Sequence, residues 1–131
     1  MRRRSLPSLP GFEHSAPVPV ACRIENLVVS GGIHGSDPAT GVVAETVEEQ
    51  ARNIFVHIRR AIEALGGGVD DIIKVNAWLA DPRDRSVLNS EWTAMFPEPD
   101  SRPTRHVMPG SLAPGTYIVC DFMAVLPQER T

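Results

Sequence analysis

The sequence predicts an α+β domain in which a mixed β-sheet carries two helices on one face. Two stretches, residues 47–65 and 88–95, repeat apolar residues every three or four positions, which is typical of amphipathic helices. β-rich runs precede, separate and follow these stretches, so a helix lies between strands on each occasion. The other face of such a sheet is apolar and has no helix, so we expect a partner subunit to cover it.

The first strands and the first helix have recognisable ends. Residues 18–23 and 27–33 are β-rich runs separated by Glu25 and Asn26, which predicts a β-hairpin. Thr46 and Glu49 have the spacing of a capping box, and three glycines follow the last apolar position. The first helix is therefore expected to begin after Thr46 and to end before these glycines.

The second half of the chain supplies a strand, a helix and two further strands. In residues 72–79 every second residue is apolar and the intervening positions include polar side chains, as in a half-buried strand. Asp81 suits the N-cap of the second helix, with Pro82 at its first helical position. A strand around Arg105 and another over residues 116–126 complete the sheet. The face of residues 72–79 that we expect to be buried consists of Ile73, Val75, Ala77 and Leu79.

Length and composition favour a single domain over residues 1–131, of which residues 1–17 form an extended lead-in. The chain is 42% apolar and 22% charged, as is ordinary for globular proteins, and its net charge of −3 predicts no nucleic-acid partner. The basic residues Arg2, Arg3 and Arg4 are expected to form a frayed terminus. No segment approaches the roughly 18 apolar residues of a membrane span, so no membrane partner is predicted.

Cysteines and histidines give no sign of a metal site. Cys22 and Cys120 lie in apolar strand-like runs, which favours buried, reduced thiols in a cytoplasmic protein. The four histidines lack the close spacing of metal ligands, so no metal is predicted. His57 lies among charged neighbours on the first helix and is expected to be solvated.

The residues most suggestive of chemistry are Arg105 and Asp121. Residues 101–106 read Ser-Arg-Pro-Thr-Arg-His, and the proline restricts where the Arg105 fork points. Such a fork binds a planar carboxylate through two parallel hydrogen bonds. Asp121 is the one acid in an otherwise apolar strand, where a carboxylate is costly unless it is paired or used. Our hypothesis is that both face one small cavity, Arg105 holding a substrate carboxylate and Asp121 handling a proton.

Several separated stretches occur together in an order typical of one protein family. The set resembles the reactive intermediate deaminase family, also called YjgF-type or L-PSP endoribonuclease-like proteins, from about His14 to the C-terminus. The stretches are Val29-Ser30-Gly31-Gly32, Pro38-Ala39-Thr40-Gly41, Gln50 with Asn53, Asp71-Ile72-Ile73-Lys74-Val75, Leu88-Asn89 with Trp92 and Phe96, Arg102-Pro103-Thr104-Arg105, and Asp121 with Ala124.

The resemblance implies a chorismate-mutase-like (YjgF-type) fold and a homotrimer with active sites in the clefts between subunits. Deaminating members hydrolyse enamines and imines of the 2-aminoacrylate type to a keto acid and ammonia, without a cofactor. By the same resemblance, Arg105 corresponds to the arginine that clamps the substrate carboxylate and Asp121 to a glutamate that positions water. Ser30 and Gly31 correspond to the pocket-lining strand, and Asn89 to a helix residue near the cleft.

The chain also departs from the family pattern. Pro17 stands where many members have an aromatic hydroxyl, Val107 where the pocket often has cysteine, and Gly32 where glutamine is frequent. His14 and His106 are further candidates for the cleft, whereas Trp92 is more typical of packing than of substrate stacking.

These departures leave two functions open. One is a deaminase of altered specificity, for which 2-aminomuconate is a candidate substrate. The other is a non-catalytic member that binds small carboxylate metabolites, which the shortened acid and the missing hydroxyl favour. RNA cleavage, suggested by the older family name, is disfavoured because the chain is acidic and has no basic stripe.

Overall fold

The computed structural model describes residues 2–127 and confirms the α+β prediction. The elements are β1 (Arg4–Leu6), β2 (Ser8–Leu9), β3 (Phe12–Glu13), β4 (Ala21–Ile24), β5 (Leu27–Ser30), β6 (Ile33–His34), α1 (Val47–Ala64), β7 (Ile72–Leu79), α2 (Arg85–Met95), β8 (Thr104–Pro109) and β9 (Ile118–Val125). Strands β1 and β4 to β9 form one sheet in the order β1-β4-β5-β9-β7-β8, with β6 also paired to β9, while β2 and β3 form a separate hairpin. The β7–β8 pairing is parallel and the other pairings are antiparallel, so the sheet is mixed.

α1 packs on one face of the sheet because its apolar residues lie along one side. Thr46 Oγ1 accepts a hydrogen bond from the amide of Glu49 at 3.2 Å, which confirms the predicted start of the helix. Gln50 is fully buried and donates from Nε2 to the carbonyls of Ala44 and Gly115, so it ties two loops to the helix. Neither helix of residues 2–127 has the length and apolar character needed to cross a membrane. The sheet and helix side chains that meet in the core include Val28, Val75, Phe122, Ala124, Ile54, Ile58 and Ile62.

The predicted buried face of β7 is wrong at Ile73. Ile72 pairs with Ala124 and Lys74 pairs with Met123, so Ile73 is an extra residue in the ladder. A β-bulge of this kind shifts the alternation of side chains by one position. Ile72 is therefore buried and Ile73 is 48% exposed, while the following positions keep the predicted faces.

The N-terminal residues form more structure than an extended lead-in. β1 pairs with β4, and Arg4 Nη2 donates to the carbonyl of Ala64 at 3.1 Å, so the expectation of a frayed terminus is wrong for Arg4. The β2–β3 hairpin buries Leu9 and Phe12 against the core. Pairing with β4 and burial of these two apolar side chains stabilise a segment that has no periodic pattern of its own.

α2 begins slightly later than the sequence predicts. Residues Pro82–Asp84 form a 3-10 turn, in which Asp81 Oδ1 accepts from the amide of Arg83 at 2.9 Å. The α-helix itself starts at Arg85. Asp81 and Pro82 therefore start the turn that leads into the helix, rather than the helix proper.

The second face of the sheet is uncovered and apolar within the described chain, as predicted. Side chains on β4, β5 and β9 point away from the helices and are between 36% and 42% exposed. A patch of this kind is typical of a surface that a second subunit covers. It consists of Ile24, Leu27, Val29, Met123 and Val125.

Candidate functional site

Arg105 lies on β8 with its side chain on the helix-bearing face of the sheet. It pairs with Val75, which is buried in the core, so both side chains point to that face. Asn89 Oδ1 accepts a hydrogen bond from Arg105 Nη2 at 2.8 Å, and the centroid of the Trp92 ring lies 5.0 Å from the guanidinium carbon. Asn89 and Trp92 are three residues apart and share one side of α2. The structure thus brings three predicted site residues, Arg105, Asn89 and Trp92, into contact.

The guanidinium of Arg105 is only partly satisfied. Its Nη1 is buried and has no hydrogen-bond partner among the described residues. Burial lowers the pKa of Arg105, and the charge of Arg85 lowers it further. Within residues 2–127 the only salt bridge joins Arg83 to Asp81, so no carboxylate there neutralises Arg105. A buried charged donor without an acceptor is costly, and an incoming anion would remove that cost.

The other arginine of residues 101–106 is used differently. Arg102 donates from Nε to the carbonyl of Phe96 at 2.8 Å and from Nη2 to the carbonyl of Pro97 at 3.4 Å. These bonds hold the loop that follows α2. Arg102 is therefore a structural residue, whereas Arg105 has a buried donor, Nη1, without a partner among the described residues.

Asp121 lies on the opposite face of the sheet from Arg105. Asp121 pairs with Asn76, and Asn76 pairs with His106, so the three side chains form a row across the uncovered face. Asn76 Nδ2 donates to Asp121 Oδ1 at 2.9 Å. Arg105 instead pairs with Val75, and Val75 pairs with Phe122, so these three side chains form a row on the helix-bearing face. Phe122 follows Asp121 in the strand, and neighbouring residues of a strand point to opposite faces. The hypothesis that Arg105 and Asp121 face one cavity is therefore wrong for a single chain.

Ser30, Gly31 and His14 form a third group. Ser30 Oγ donates to the carbonyl of Gly31 at 2.9 Å and accepts from the amide of Phe122 at 2.9 Å. Its hydroxyl is thus committed to holding β5 against β9. His14 Nε2 lies 3.5 Å from where a Cβ on Gly31 would be, and it is buried without a hydrogen-bond partner among the described residues. His14, a predicted candidate for the cleft, therefore lies beside Gly31.

Within one chain these groups stay apart. β5 and β8 are separated in the sheet by β9 and β7, so three strand spacings of about 4.8 Å each lie between Gly31 and Arg105. Val107 is on the same strand face as Arg105 but packs partly against the core. A groove of about 410 Å³ between α1 and α2, lined by Arg52, Phe55 and Met95 among others, contains neither Arg105 nor Asp121.

Three imidazoles surround Phe12, a cluster that the sequence did not predict. The ring centroids of His14, His34 and His57 lie 5.2, 4.7 and 5.1 Å from that of Phe12. His57 is fully buried, so the expectation that it is solvated is wrong. The helical spacing from Ile54 to His57 and Ala61 was a usable signal, because it places His57 on the apolar side of α1.

The tautomer of the neutral His57 ring follows from its contacts. Its Nε2 donates to the carbonyl of Ser36 at 2.7 Å, because a carbonyl can only accept. Its Nδ1 is buried without a partner among the described residues, so the neutral ring carries no proton there. Burial lowers the pKa of both His57 and His34. For His57 the hydrogen bond to Ser36 opposes this effect in part and the charge of Arg60 adds to it, while for His34 the charges of His14 and His57 add to it.

The cysteines are free thiols without a catalytic environment. Cys120 is buried as predicted, and burial together with the charge of Asp121 raises its pKa to about 12. The neutral thiol is a poor nucleophile. Cys22 is only half-buried, so the expectation of two buried thiols holds for Cys120 alone.

Comparisons with known proteins identify the family. The model of the family described as Endoribonuclease L-PSP matches residues 14–120. The chain belongs to this family. A RutC family protein of Pyrococcus abyssi is 27% identical over 114 residues, 82% of this chain and 88% of that protein. The crystal structure of RidA from the Antarctic bacterium Psychrobacter sp. PAMC 21119 superposes with a TM-score of 0.86 at 27% identity, covering 94% of this chain and 99% of that one. Both the predicted family and the predicted fold class are thereby confirmed.

A shorter match is to a relative whose name states a reaction. A protein of Salmonella typhimurium called 2-iminobutanoate/2-iminopropanoate deaminase is 36% identical over 73 residues, which is 56% of this chain. The match spans 57% of that curated relative, little more than half its length.

Proposed function

We propose that the chain is an imine or enamine deaminase that hydrolyses small carboxylate-bearing substrates to a keto acid and ammonia. The observation that carries the proposal is the Arg105 guanidinium, whose Nη2 is fixed by Asn89 while its buried Nη1 lacks a partner among the described residues. A substrate carboxylate is complementary to these donors in charge and shape. The name of the Salmonella typhimurium relative supports the same class of reaction.

The proposed catalytic unit is a homotrimer with its sites in clefts between chains. β8 is at the end of the strand order, so a second chain can approach the edge that carries Arg105. Asp121 and His106 lie on the face that also carries the exposed apolar patch. Association through that patch would bring Asp121 of one chain near Arg105 of another. An intersubunit site of this kind would account for the separation of Arg105 and Asp121 within one chain.

The proposed reaction needs positioning and one acid-base group. Arg105 binds the carboxylate and so places the imine carbon, while Asn89 and Trp92 hold the guanidinium. Asp121 of the neighbouring chain accepts a proton from water as the water oxygen bonds to the imine carbon. The nitrogen gains protons, the carbon–nitrogen bond breaks, and ammonia leaves as the carbonyl forms. One imine and one water therefore give one keto acid and one ammonia, with no change of oxidation state.

The remaining predicted residues complete the proposed pocket. Ser30 and Gly31 would form its wall, with His14 placed to supply a proton to the leaving nitrogen from beside Gly31. Val107 and His106 lie on opposite faces of β8. In any one pocket Val107 would therefore come from one chain and His106 from another.

A binding protein without catalysis is the second candidate. The observation that favours it is the Asn76–Asp121 hydrogen bond, which occupies one oxygen of the carboxylate that the mechanism needs as a base. Arg105 would then hold a carboxylate metabolite that is not turned over.

Ammonia release from freshly generated 2-aminoacrylate, 2-iminobutanoate and 2-aminomuconate separates the two candidates. We expect the wild type to accelerate at least one of these reactions and Arg105→Ala to lose that acceleration. A reduced rate in Asp121→Asn, which preserves size and an acceptor for Asn76, would identify the carboxylate as the base. Carboxylate binding by a folded wild type that accelerates none of the three would instead establish the binding protein.

A further inference from the structure

α2 presents three residues along the side that faces Arg105. Asn89 and Trp92 both contact the guanidinium of Arg105. Arg85 lies four residues before Asn89, which puts it on the same side of the helix, just over one turn or about 6 Å along the axis. A second guanidinium group therefore lies at the same end of the candidate site.

Neither arginine forms a salt bridge within the described chain. The only salt bridge of residues 2–127 joins Arg83 to Asp81. Asp84 precedes Arg85 in sequence, and its charge acts on Arg83, whose pKa it raises together with Asp81. Two like charges that repel each other, neither of them held in a salt bridge within residues 2–127, favour the binding of an anion.

The position of Arg85 in the helix is not explained by helix stability. The first turn of an α-helix favours acidic side chains, because the helix dipole is positive there. The first turn of α2 contains no acidic residue and begins with Arg85 itself. An exposed cation at this end stabilises the helix less than a neutral side chain would, so a role in binding accounts for it better.

We infer that the site selects substrates with two acid groups, Arg105 binding the carboxylate next to the imine and Arg85 binding the distal one. This inference rests on the proposed imine deaminase function. The substrate class is the imine of an amino dicarboxylic acid, whose second carboxylate is separated from the first by a chain of a few carbons. A monocarboxylate would leave Arg85 without a partner, so it would bind more weakly.

The test compares imines formed in place by amino-acid oxidases from glutamate and from 2-aminobutanoate. We expect kcat/KM in the wild type to be roughly 10-fold higher for the dicarboxylate imine, the effect of one additional charge-assisted contact. Arg85→Gln should bring the ratio close to one by raising KM for the dicarboxylate with kcat unchanged. Arg85→Lys should restore part of the preference, and the matched control Arg59→Gln, an exposed arginine on α1, should leave it unchanged.

A binding measurement separates this inference from the proposed reaction. Calorimetry with 2-oxoglutarate and 2-oxobutanoate reports the same preference without turnover. We expect 2-oxoglutarate to bind more tightly than 2-oxobutanoate, and Arg85→Gln to abolish this difference.

The outcomes distinguish the two claims. If Arg105→Ala removes activity but Arg85→Gln leaves the ratio of kcat/KM for the two imines unchanged, the role of Arg85 is overturned and the deaminase stands. If imines are not hydrolysed but 2-oxoglutarate binds through Arg85, the deaminase is overturned and the dicarboxylate site stands. Equal binding of both keto acids to wild type and Arg85→Gln overturns the inference.

Discussion

Arg105 and Asp121 lie on the two strands that flank β7, yet their surroundings are opposite in kind. Arg105 faces the helices and has a buried donor without an acceptor among the described residues. Asp121 faces the uncovered side, and one of its carboxylate oxygens, Oδ1, accepts a hydrogen bond from Asn76. The first environment is incomplete without an anion, and the second is incomplete without a covering chain. This difference supports our proposal that assembly of several chains, rather than the fold of one chain, joins the two halves of the site.

The largest effect is expected from a charge on the uncovered face. Met123 pairs with Val29 in the exposed apolar patch, so Met123→Asp places a carboxylate in the proposed interface. We expect monomers in light scattering and a loss of activity of roughly 100-fold or more, since each site would lose its second chain. Arg59→Gln, which also lowers the net charge by one but on the helix side, is the control. An active monomer of Met123→Asp would contradict the shared site.

The next effect concerns Arg105 itself. Arg105→Ala should lower kcat/KM by about 100-fold, the value of a charge-assisted pair of hydrogen bonds. It should not lower the melting temperature, because the change also removes a buried donor without a partner among the described residues. Arg102→Ala is the matched control: it loses the bond to the Phe96 carbonyl, so it should cost about 1 kcal/mol of stability and leave kcat/KM unchanged. Equal activity losses in the two variants would show that Arg105 is also structural.

Ser30 tests whether a residue of the proposed pocket is mainly structural. Ser30→Ala leaves the buried amide of Phe122 without its acceptor, so we expect a loss of about 1–3 kcal/mol in the free energy of unfolding. Urea denaturation measures it, with the exposed Ser15→Ala as control. A large fall in kcat at unchanged stability would instead assign Ser30 to the chemistry.

The smallest effect is the pH dependence that the histidine cluster around Phe12 imposes on stability. The folded chain holds the pKa values of His34 and His57 below the ordinary value of about 6.5. Below pH 6.5 the unfolded chain therefore binds more protons than the folded one, so stability falls as pH drops and levels off beneath the folded pKa values. Denaturation between pH 7.5 and 5 should show a shallower slope for His57→Phe than for the wild type. Identical slopes would mean that His57 does not contribute.

Much of the fold is encoded locally and was predictable. Thr46 and Glu49 mark the start of α1, and Glu25 with Asn26 marks the β4–β5 hairpin, because these signals act within a few residues. The exposure of Ile73 was not predictable, since a bulge is defined by the partner strand. The burial of Phe12 and the pairing of β1 likewise depend on contacts distant in sequence.

The site was predictable in its residues but not in its arrangement. Arg105 and Asn89 could be singled out from the sequence, and the structure brings them into contact. The faces of Arg105 and Asp121 depend on the register of β8 and β9 with β7, which no local pattern specifies. Whether Arg105 and Asp121 meet depends in turn on how the chains assemble.

Subunit mixing tests the shared site most directly. Arg105→Ala and Asp121→Ala chains are prepared separately, unfolded together in equal amounts and refolded, with native mass spectrometry confirming mixed trimers. A site that takes Arg105 from one chain and Asp121 from another is intact in about one quarter of random pairings, so the mixture should regain roughly a quarter of wild-type activity although each variant alone is inactive. A mixture that remains as inactive as the separate variants, or an active Asp121→Ala, would contradict the account.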